Sequence, residues 1–226
     1  RSEFAGMWNP GQSGERATFA QEGDSAFKAE VFVPVWSSQL FASEWWEPSS
    51  LPVGVALSRQ GEGWEVKVEN RTERVLAGAH MVIEDYIVPL GEIPAGADKT
   101  FKIARRQGMP LAEFVGKHGA EFQNAVRARQ KTFGGGGSGR IDDLPNASMA
   151  ASFLSQLNRG QDSTRHFLVP PGLDLSPVLE RGNAVFLAWA GGCAPVKTMR
   201  QFSPRRTRSD TLWRVVVPAQ SLKSDL

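Results

Sequence analysis

Apolar segments joined by short polar turns make up the stretch from residue 66 to residue 103. Within 65–69 the valines fall on one face and the charges on the other, as in a half-buried antiparallel strand. Polar residues at 70–73 turn the chain, and a turn at 94–97 leads into 100–103, which alternates in the same sense. This pattern predicts consecutive β-strands, and it contains no recognisable catalytic grouping.

Further strands are predicted on both sides of this stretch. Residues 27–36 are rich in β-branched and aromatic side chains, and 53–58 with 64–69 form a predicted hairpin across a glycine-containing loop. Near the C-terminus, apolar runs bounded by glycine, proline or polar loops predict three more strands: 166–169, 184–189 and 212–218.

A helical period begins after Gly108. Apolar residues recur on one face of the predicted helix: Leu111, Phe114, Val115, Phe122 and Val126. This helix is expected to reach about residue 133 and to depend on docking against the sheet, because glycines weaken it. A second, shorter helix is predicted from another apolar stripe: Ala150, Phe153, Leu154 and Leu157.

The predicted fold is mainly β. We expect a flexible tail over 1–13 and then one antiparallel β-sandwich domain over 14–222, with strands on both sides of a helical middle. The helical excursion spans about 109–158, holds the two helices and precedes the C-terminal strands. The glycine-rich run 134–139 is typical of a flexible connector.

Composition narrows the function classes only slightly. The chain has 226 residues, 41% of them apolar, and a net charge of +2 from 26 basic and 24 acidic side chains. Such a balance does not indicate nucleic acid or an anionic membrane as partner. Cys193 is the single cysteine, and no apolar run approaches the roughly 20 residues that span a bilayer. Because the chain does not begin with Met, we expect a piece whose native neighbours, including any membrane anchor, have been removed.

Catalytic and metal-binding groupings are not indicated by the sequence. The histidines are isolated, and His118 is expected at the polar edge of the first helix. Arg140 and Ile141 stand where a phosphate-binding loop needs lysine and a hydroxyl. The carboxylate pair 84–85, placed on a strand, would point to opposite faces. The residues 70–72 match a glycosylation acceptor, a pattern too common to localise the protein. We therefore predict no catalytic residue, no cofactor and no metal ligand.

Tryptophans supply the strongest binding candidates. Trp45 and Trp46, if they lie on a strand, face opposite sides, so at least one points away from the main core. With Trp36, they are candidates to anchor a protein partner or to stack on a sugar ring. The alternative is that this segment covers an open end of the sandwich.

Arginines near the C-terminus form the second binding candidate. Arg205 and Arg206 belong to a basic cluster that is a candidate for a secondary electrostatic contact with a partner. Aromatic residues for base stacking are sparse in that cluster, which argues against nucleic acid. A solvated loop is the alternative.

Three segments carry a resemblance to a known class of proteins: 33–41, 89–96, and 188–189 followed by 211–215. In these segments the chain resembles extracytoplasmic β-rich domains of large, uncharacterised bacterial membrane-anchored proteins. The resemblance implies a location in the periplasm or cell envelope and a membrane anchor in native segments outside this chain. It supplies no catalytic residues.

These observations favour a non-enzymatic, extracytoplasmic interaction or scaffold module. It would dock a protein partner in the cell envelope or position a membrane-anchored neighbour. One alternative is a carbohydrate-binding module that uses exposed tryptophans. Another is a hydrolase built around Cys193 or a carboxylate pair.

Overall fold

The computed structural model describes residues 17–22, 26–31, 50–119, 144–159, 173–192 and 209–218. The chain divides into two compact units, Arg1–Ser50 and Leu51–Leu226. The first unit contains an antiparallel pair of strands, β1 (Ala17–Glu22) and β2 (Ala26–Val31). The expected tail over 1–13 and the expected single domain over 14–222 stay predictions.

The second unit is built on antiparallel strands. In its described residues these are β3 (Val53–Gln60), β4 (Gly63–Asn70), β5 (Leu76–Ile83), β6 (Tyr86–Ile93), β7 (Asp98–Ile103), β8 (Met109–Pro110), β9 (Ala184–Gly191) and β10 (Asp210–Val217). They form a five-stranded sheet in the order β10-β9-β5-β6-β8 and a three-stranded sheet in the order β3-β4-β7.

The two sheets face each other across one apolar core, so the predicted β-sandwich is confirmed. Alternation along β4 explains its share: Trp64, Val66 and Val68 point inward, whereas Lys67 between them is exposed. The five-stranded sheet contributes fully buried side chains to the same core, including Met81 and Phe186.

A helical layer covers the other face of the five-stranded sheet. It consists of α1 (111–119), α2 (Leu144–Ala150), a 3₁₀ helix (Ala151–Arg159) and α3 (Ser176–Glu180). Leu111, Phe114 and Val115 of α1 and Phe153 of the 3₁₀ helix pack with Leu187 of β9 and with other residues of the sheet. The described residues contain the start of the first predicted helix, at 111–119, whereas its expected continuation to about residue 133 lies outside them. The second predicted helix is present as α2 and the 3₁₀ helix, and α3 was not predicted.

Burial on both faces explains the composition of β9. Phe186 points toward the three-stranded sheet and Leu187 points toward the helices, and both are fully buried. A strand between two apolar layers is an apolar run rather than an alternating pattern, as residues 184–190 are.

The structure corrects three details of the sequence interpretation. Glu84 and Asp85 lie in the tight turn between β5 and β6 with positive φ angles, not along a strand. Pro110 pairs with Tyr86 as part of β8, so the helix begins after it, where the Leu111 amide donates to the Asp85 carbonyl at 2.7 Å. His118, predicted at a polar edge, is buried against Phe114.

No helix within the described ranges has the length and apolar character needed to cross a membrane.

Candidate functional site

Strand register brings several connections to one end of the sandwich. Val53 pairs with Asn70, Leu76 pairs with Ile93, and Gly191 pairs with Asp210. Residues 51–52, 70–75 and 94–97 and the base of the β9–β10 connection therefore lie at the same end. We call it the Asn70 end.

The side chain of Asn70 is the structural centre of this end. It is 1% exposed, and its Nδ2 donates to the carbonyl oxygens of Arg74 and Pro94, each at 2.8 Å, and of Ile93 at 3.3 Å. Its Oδ1 accepts from the backbone amide of Thr72 at 3.1 Å and from the Thr72 hydroxyl at 2.7 Å. One buried amide thus fixes its own loop and the loop that follows β6.

Backbone hydrogen bonds complete the frame. The amide of Asn70 donates to the carbonyl of Ala97, and that of Arg71 donates to the carbonyl of Pro52, each at 2.9 Å. The amide of Gly96 donates to the carbonyl of Thr72 at 3.2 Å. Three separate chain segments are therefore cross-linked, which makes the Asn70 end a pre-organised surface rather than a set of independent loops.

The same hydrogen bonds show whether the glycosylation pattern at 70–72 is accessible in the folded chain. Modification requires a free Asn70 Nδ2, but this atom is buried and donates to backbone carbonyls. In the folded chain Asn70 is a structural residue and not an accessible acceptor.

Apolar side chains are exposed on this frame. Leu51 is 53% exposed and Val75 is 47% exposed, and both lie at the Asn70 end. Exposed apolar groups that sit beside charged groups on a fixed scaffold are typical of interaction surfaces. The sequence analysis missed both residues, because a single apolar residue in a loop does not stand out from the pattern of apolar and polar positions. Only the pairing of the strands places them at the same end of the sandwich.

The two arginines of the β4–β5 loop are both exposed but differ in their contacts. The Arg71 guanidinium donates to the Glu69 carboxylate at 2.6 Å. Hydrogen bonds, first from Lys67 and then from Arg71, hold the pKa of Glu69 below its usual value. The Glu69 carboxylate is therefore ionised at neutral pH. The Arg74 guanidinium instead lies beside Gly192, where a Cβ added to this glycine would be 3.6 Å from Nη2.

Gly192 also closes the base of the β9–β10 connection, because its amide donates to the Ser209 carbonyl at 2.9 Å. The connection 193–208 contains no Asp or Glu, and its basic residues are Lys197, Arg200, Arg205, Arg206 and Arg208. Its two ends are therefore fixed at the Asn70 end. Arg205 and Arg206 themselves lie outside the described residues, as do Trp36, Trp45, Trp46 and Cys193.

A shallow cleft lies at the opposite end of the sandwich, next to the turn at Glu84. It encloses only about 10 Å³ and is bordered by Trp64, Tyr86, Arg106 and Gln107, among others. Ligand pockets usually measure roughly 300–1,000 Å³. Trp64, its largest aromatic residue, is only 8% exposed and lies under the Arg59 guanidinium. Trp64 therefore offers no open stacking face for a sugar ring in this cleft.

Ser155 and Asp174 form a serine–carboxylate contact that has a structural role. The Ser155 hydroxyl and backbone amide both donate to Asp174 Oδ2, and the Ser176 amide donates to Oδ1 at 2.8 Å. Asp174 thereby joins the 3₁₀ helix to the start of α3. Within the described ranges no three His, Cys, Asp or Glu residues are placed to hold a metal ion.

Comparison with known proteins gives no match: no protein-family model, no curated protein and no solved structure matches this chain. The resemblance to bacterial envelope domains therefore stays a prediction. Functional proposals for this protein depend on its own residues.

Proposed function

We propose that this protein is a non-catalytic, extracytoplasmic binding module that docks a protein partner on its Asn70 end. The observation that carries the proposal is that two exposed apolar residues, Leu51 and Val75, and the exposed Arg74 lie at the same end of the sandwich, on a frame fixed by buried Asn70. Arginine is enriched among the residues that supply most of the binding energy of an interface, and the buried centre of an interface is more apolar than its rim.

The rigidity of the frame favours binding of a folded or extended partner. Ordering of surface side chains and loops on association costs roughly 0.5–1.5 kcal/mol for each flexible side chain. At the Asn70 end the loops are already held by Asn70 and by the backbone bonds from Arg71 and Gly96. Less conformational entropy is lost on docking than for free loops.

Charge favours a partner with an acidic surface. All the charged residues of the connection 193–208 are positive. The connection follows Gly192 and precedes Ser209, which are hydrogen-bonded to each other. Arg205 and Arg206 are its proposed contacts, and Trp45 and Trp46 are proposed further anchors. Complementary charge would mainly raise the association rate and would be weakened by salt.

The extracytoplasmic location is supported by the resemblance noted from sequence. A membrane anchor, in this proposal, belongs to native segments outside the chain. No cofactor is required, since the proposed mechanism is surface complementarity alone.

A matched pair of double variants tests the proposal. Arg74→Glu/Val75→Ser changes the Asn70 end, and Arg181→Glu/Val216→Ser makes the same substitutions at exposed positions toward the other end of the sandwich. Proteins captured by the wild-type chain from an envelope extract are identified by mass spectrometry. Affinity of the purified partner for all three chains is then measured by calorimetry. We expect at least about tenfold weaker binding for the first variant and less than about twofold change for the second.

Circular dichroism and thermal unfolding confirm that all three chains fold. Equal affinities for the three chains would contradict the docking surface, as would an equal loss in the two variants. A Trp45→Ala/Trp46→Ala variant, measured against the same partner, tests the proposed anchors separately.

A further inference from the structure

Three aromatic rings lie side by side where α1 packs on β5. The imidazole of His80 on β5 is 6.2 Å from the ring of Phe114 on α1, and the ring of Phe114 is 4.8 Å from the imidazole of His118, as centroid distances. Phe114 and His118 are buried and His80 is half-buried. The contact between α1 and this part of the sheet therefore includes two titratable groups on either side of one apolar ring.

His80 is held in its neutral form by its surroundings. Burial lowers the pKa of the His80 imidazole below the usual 6.5, and the hydrogen bond to the Gly78 carbonyl opposes that shift only in part. The Nδ1 atom lies 2.8 Å from this carbonyl, so a neutral ring with its proton on Nδ1 donates there. A second proton, on Nε2, would place a full charge at the edge of an apolar interface.

The neighbouring strands supply no counter-charge. In register, His80 pairs with Pro89 of β6 on one side and with Leu187 of β9 on the other. Neither residue ionises, and β5 itself contains no other ionisable side chain. A protonated His80 would therefore be stabilised by no carboxylate from the sheet positions beside it.

The described part of the helical layer is equally poor in carboxylates. On α1 the charged residues are Glu113 and Lys117, both exposed, and the other titratable residue is His118. Residues 144–158 contain no Asp, Glu, Lys, Arg or His. Around α3, Asp174 accepts hydrogen bonds from Ser155 and Ser176, and its neighbours Glu180 and Arg181 are exposed.

We propose that the His80–Phe114 contact is an acid-sensitive latch, which holds α1 on the five-stranded sheet near neutral pH and releases it when His80 becomes protonated. Protonation forces the imidazole toward water and removes the apolar partner of Phe114. Release exposes the helix-facing apolar side chains of the sheet, including Val82, Val185 and Leu187.

The direction of the pH dependence follows from linkage. With α1 docked, the pKa of His80 is lowered, and with α1 released it returns toward the usual 6.5. The released state therefore binds more protons between these two values. Docking is strongest above the released-state pKa, weakens as the pH falls through it, and changes no further below the docked-state pKa.

The latch acts on the helical layer and leaves the sandwich intact. The apolar core between the two sheets contains neither His80 nor any residue of α1. Amides of β4 should stay protected under conditions in which amides of α1 exchange. This difference separates helix release from general acid unfolding.

Hydrogen exchange read by mass spectrometry tests the latch. Exchange of amides 111–119, corrected for the intrinsic effect of pH, is compared at about pH 7.5 and about pH 5 in the full chain. In the wild type we expect exchange of α1 to rise several-fold on acidification, with β4 unchanged. In His80→Phe, whose ring cannot be protonated, most of this rise should be lost, whereas His118→Phe should retain it.

Several results would overturn the proposal. One is an equal acid response in wild type and His80→Phe, and another is no response in the wild type. Stronger protection of α1 at low pH would show that attraction between a cationic imidazole and the face of Phe114 dominates. If His80→Phe does not fold, an NMR titration of His80 in the wild type decides, because a midpoint at or above 6.5 contradicts the latch.

Discussion

The side-chain amide of Asn70 donates a hydrogen bond to the carbonyl oxygen of Pro94 at 2.8 Å, which joins the end of β4 to the loop after β6. The same amide reaches the carbonyl of Arg74, so it spans two loops of the proposed docking surface. Stability of the fold and shape of the surface therefore depend on one buried side chain.

Replacement of Asn70 by alanine should destabilise the protein by about 2–4 kcal/mol. The substitution removes one of two donors from each of the carbonyls of Arg74 and Pro94 and takes the acceptor from the Thr72 amide. Each lost hydrogen bond costs roughly 0.5–1.5 kcal/mol, and an unsatisfied buried amide costs roughly 1–3 kcal/mol. Urea unfolding measures the change. Ser58→Ala, at an exposed position of β3, is the control and should change stability by less than about 0.5 kcal/mol.

Two glycines with positive φ angles should respond differently to alanine. Gly96 has φ +65° with open space around it, so Gly96→Ala should cost about 1 kcal/mol from the backbone conformation alone. Gly108 has φ +100°, and an added Cβ would lie 2.3 Å from the carbonyl oxygen of Ile87. Gly108→Ala should therefore cost about 3 kcal/mol or more. Equal midpoints of urea unfolding for the two variants would show that the close approach to Ile87 is relieved at little cost.

Removal of the Asp174 carboxylate should loosen the junction between the 3₁₀ helix and α3. Asp174→Ala takes the acceptor from Ser155 and Ser176, and charge-assisted bonds of this kind contribute roughly 1.5–3 kcal/mol. Amides of 173–180 should exchange faster, whereas those of β4 should not. Ser155→Ala should have a smaller effect, and additive losses in the double variant would argue against a shared contact.

Adjacent residues of β9 should both be intolerant of truncation. Phe186→Ala should cost about 3–5 kcal/mol and Leu187→Ala about 2–5 kcal/mol, because each is fully buried, one against the three-stranded sheet and one against the helices. Val216→Ala on β10 is the comparison: its side chain is 41% exposed, and less than about 1 kcal/mol is expected. A small loss for Leu187→Ala alone would mean that the helical layer contributes little to global stability.

Local pattern was sufficient for most of the strands. The valines of β4 and the apolar run of β9 predict their strands, since one alternates and the other does not. The turn between β5 and β6 was harder to predict: Glu84 and Asp85 adopt positive φ without the glycine that usually marks such a hairpin, and Asp85 was the one local turn signal.

The candidate site was much less accessible from sequence than the fold. The predicted residues Trp36, Trp45, Trp46, Arg205 and Arg206 lie outside the described residues and stay predictions. Leu51 and Val75 were missed, because single exposed apolar residues have no periodic signature. Their shared location follows from pairing of strands that are distant in the chain.

The sequence by itself determined the mainly β class, the inward face of most strands and the two helical segments, because the period of apolar residues depends only on local backbone geometry. Tertiary structure alone decided which distant residues meet: Asn70 with Pro94, His80 with Phe114, and Ser155 with Asp174. A periodic pattern specifies that a face is buried, but not against what. Hydrogen bonds and ring contacts across loops are set only when the sheets and helices close on one another.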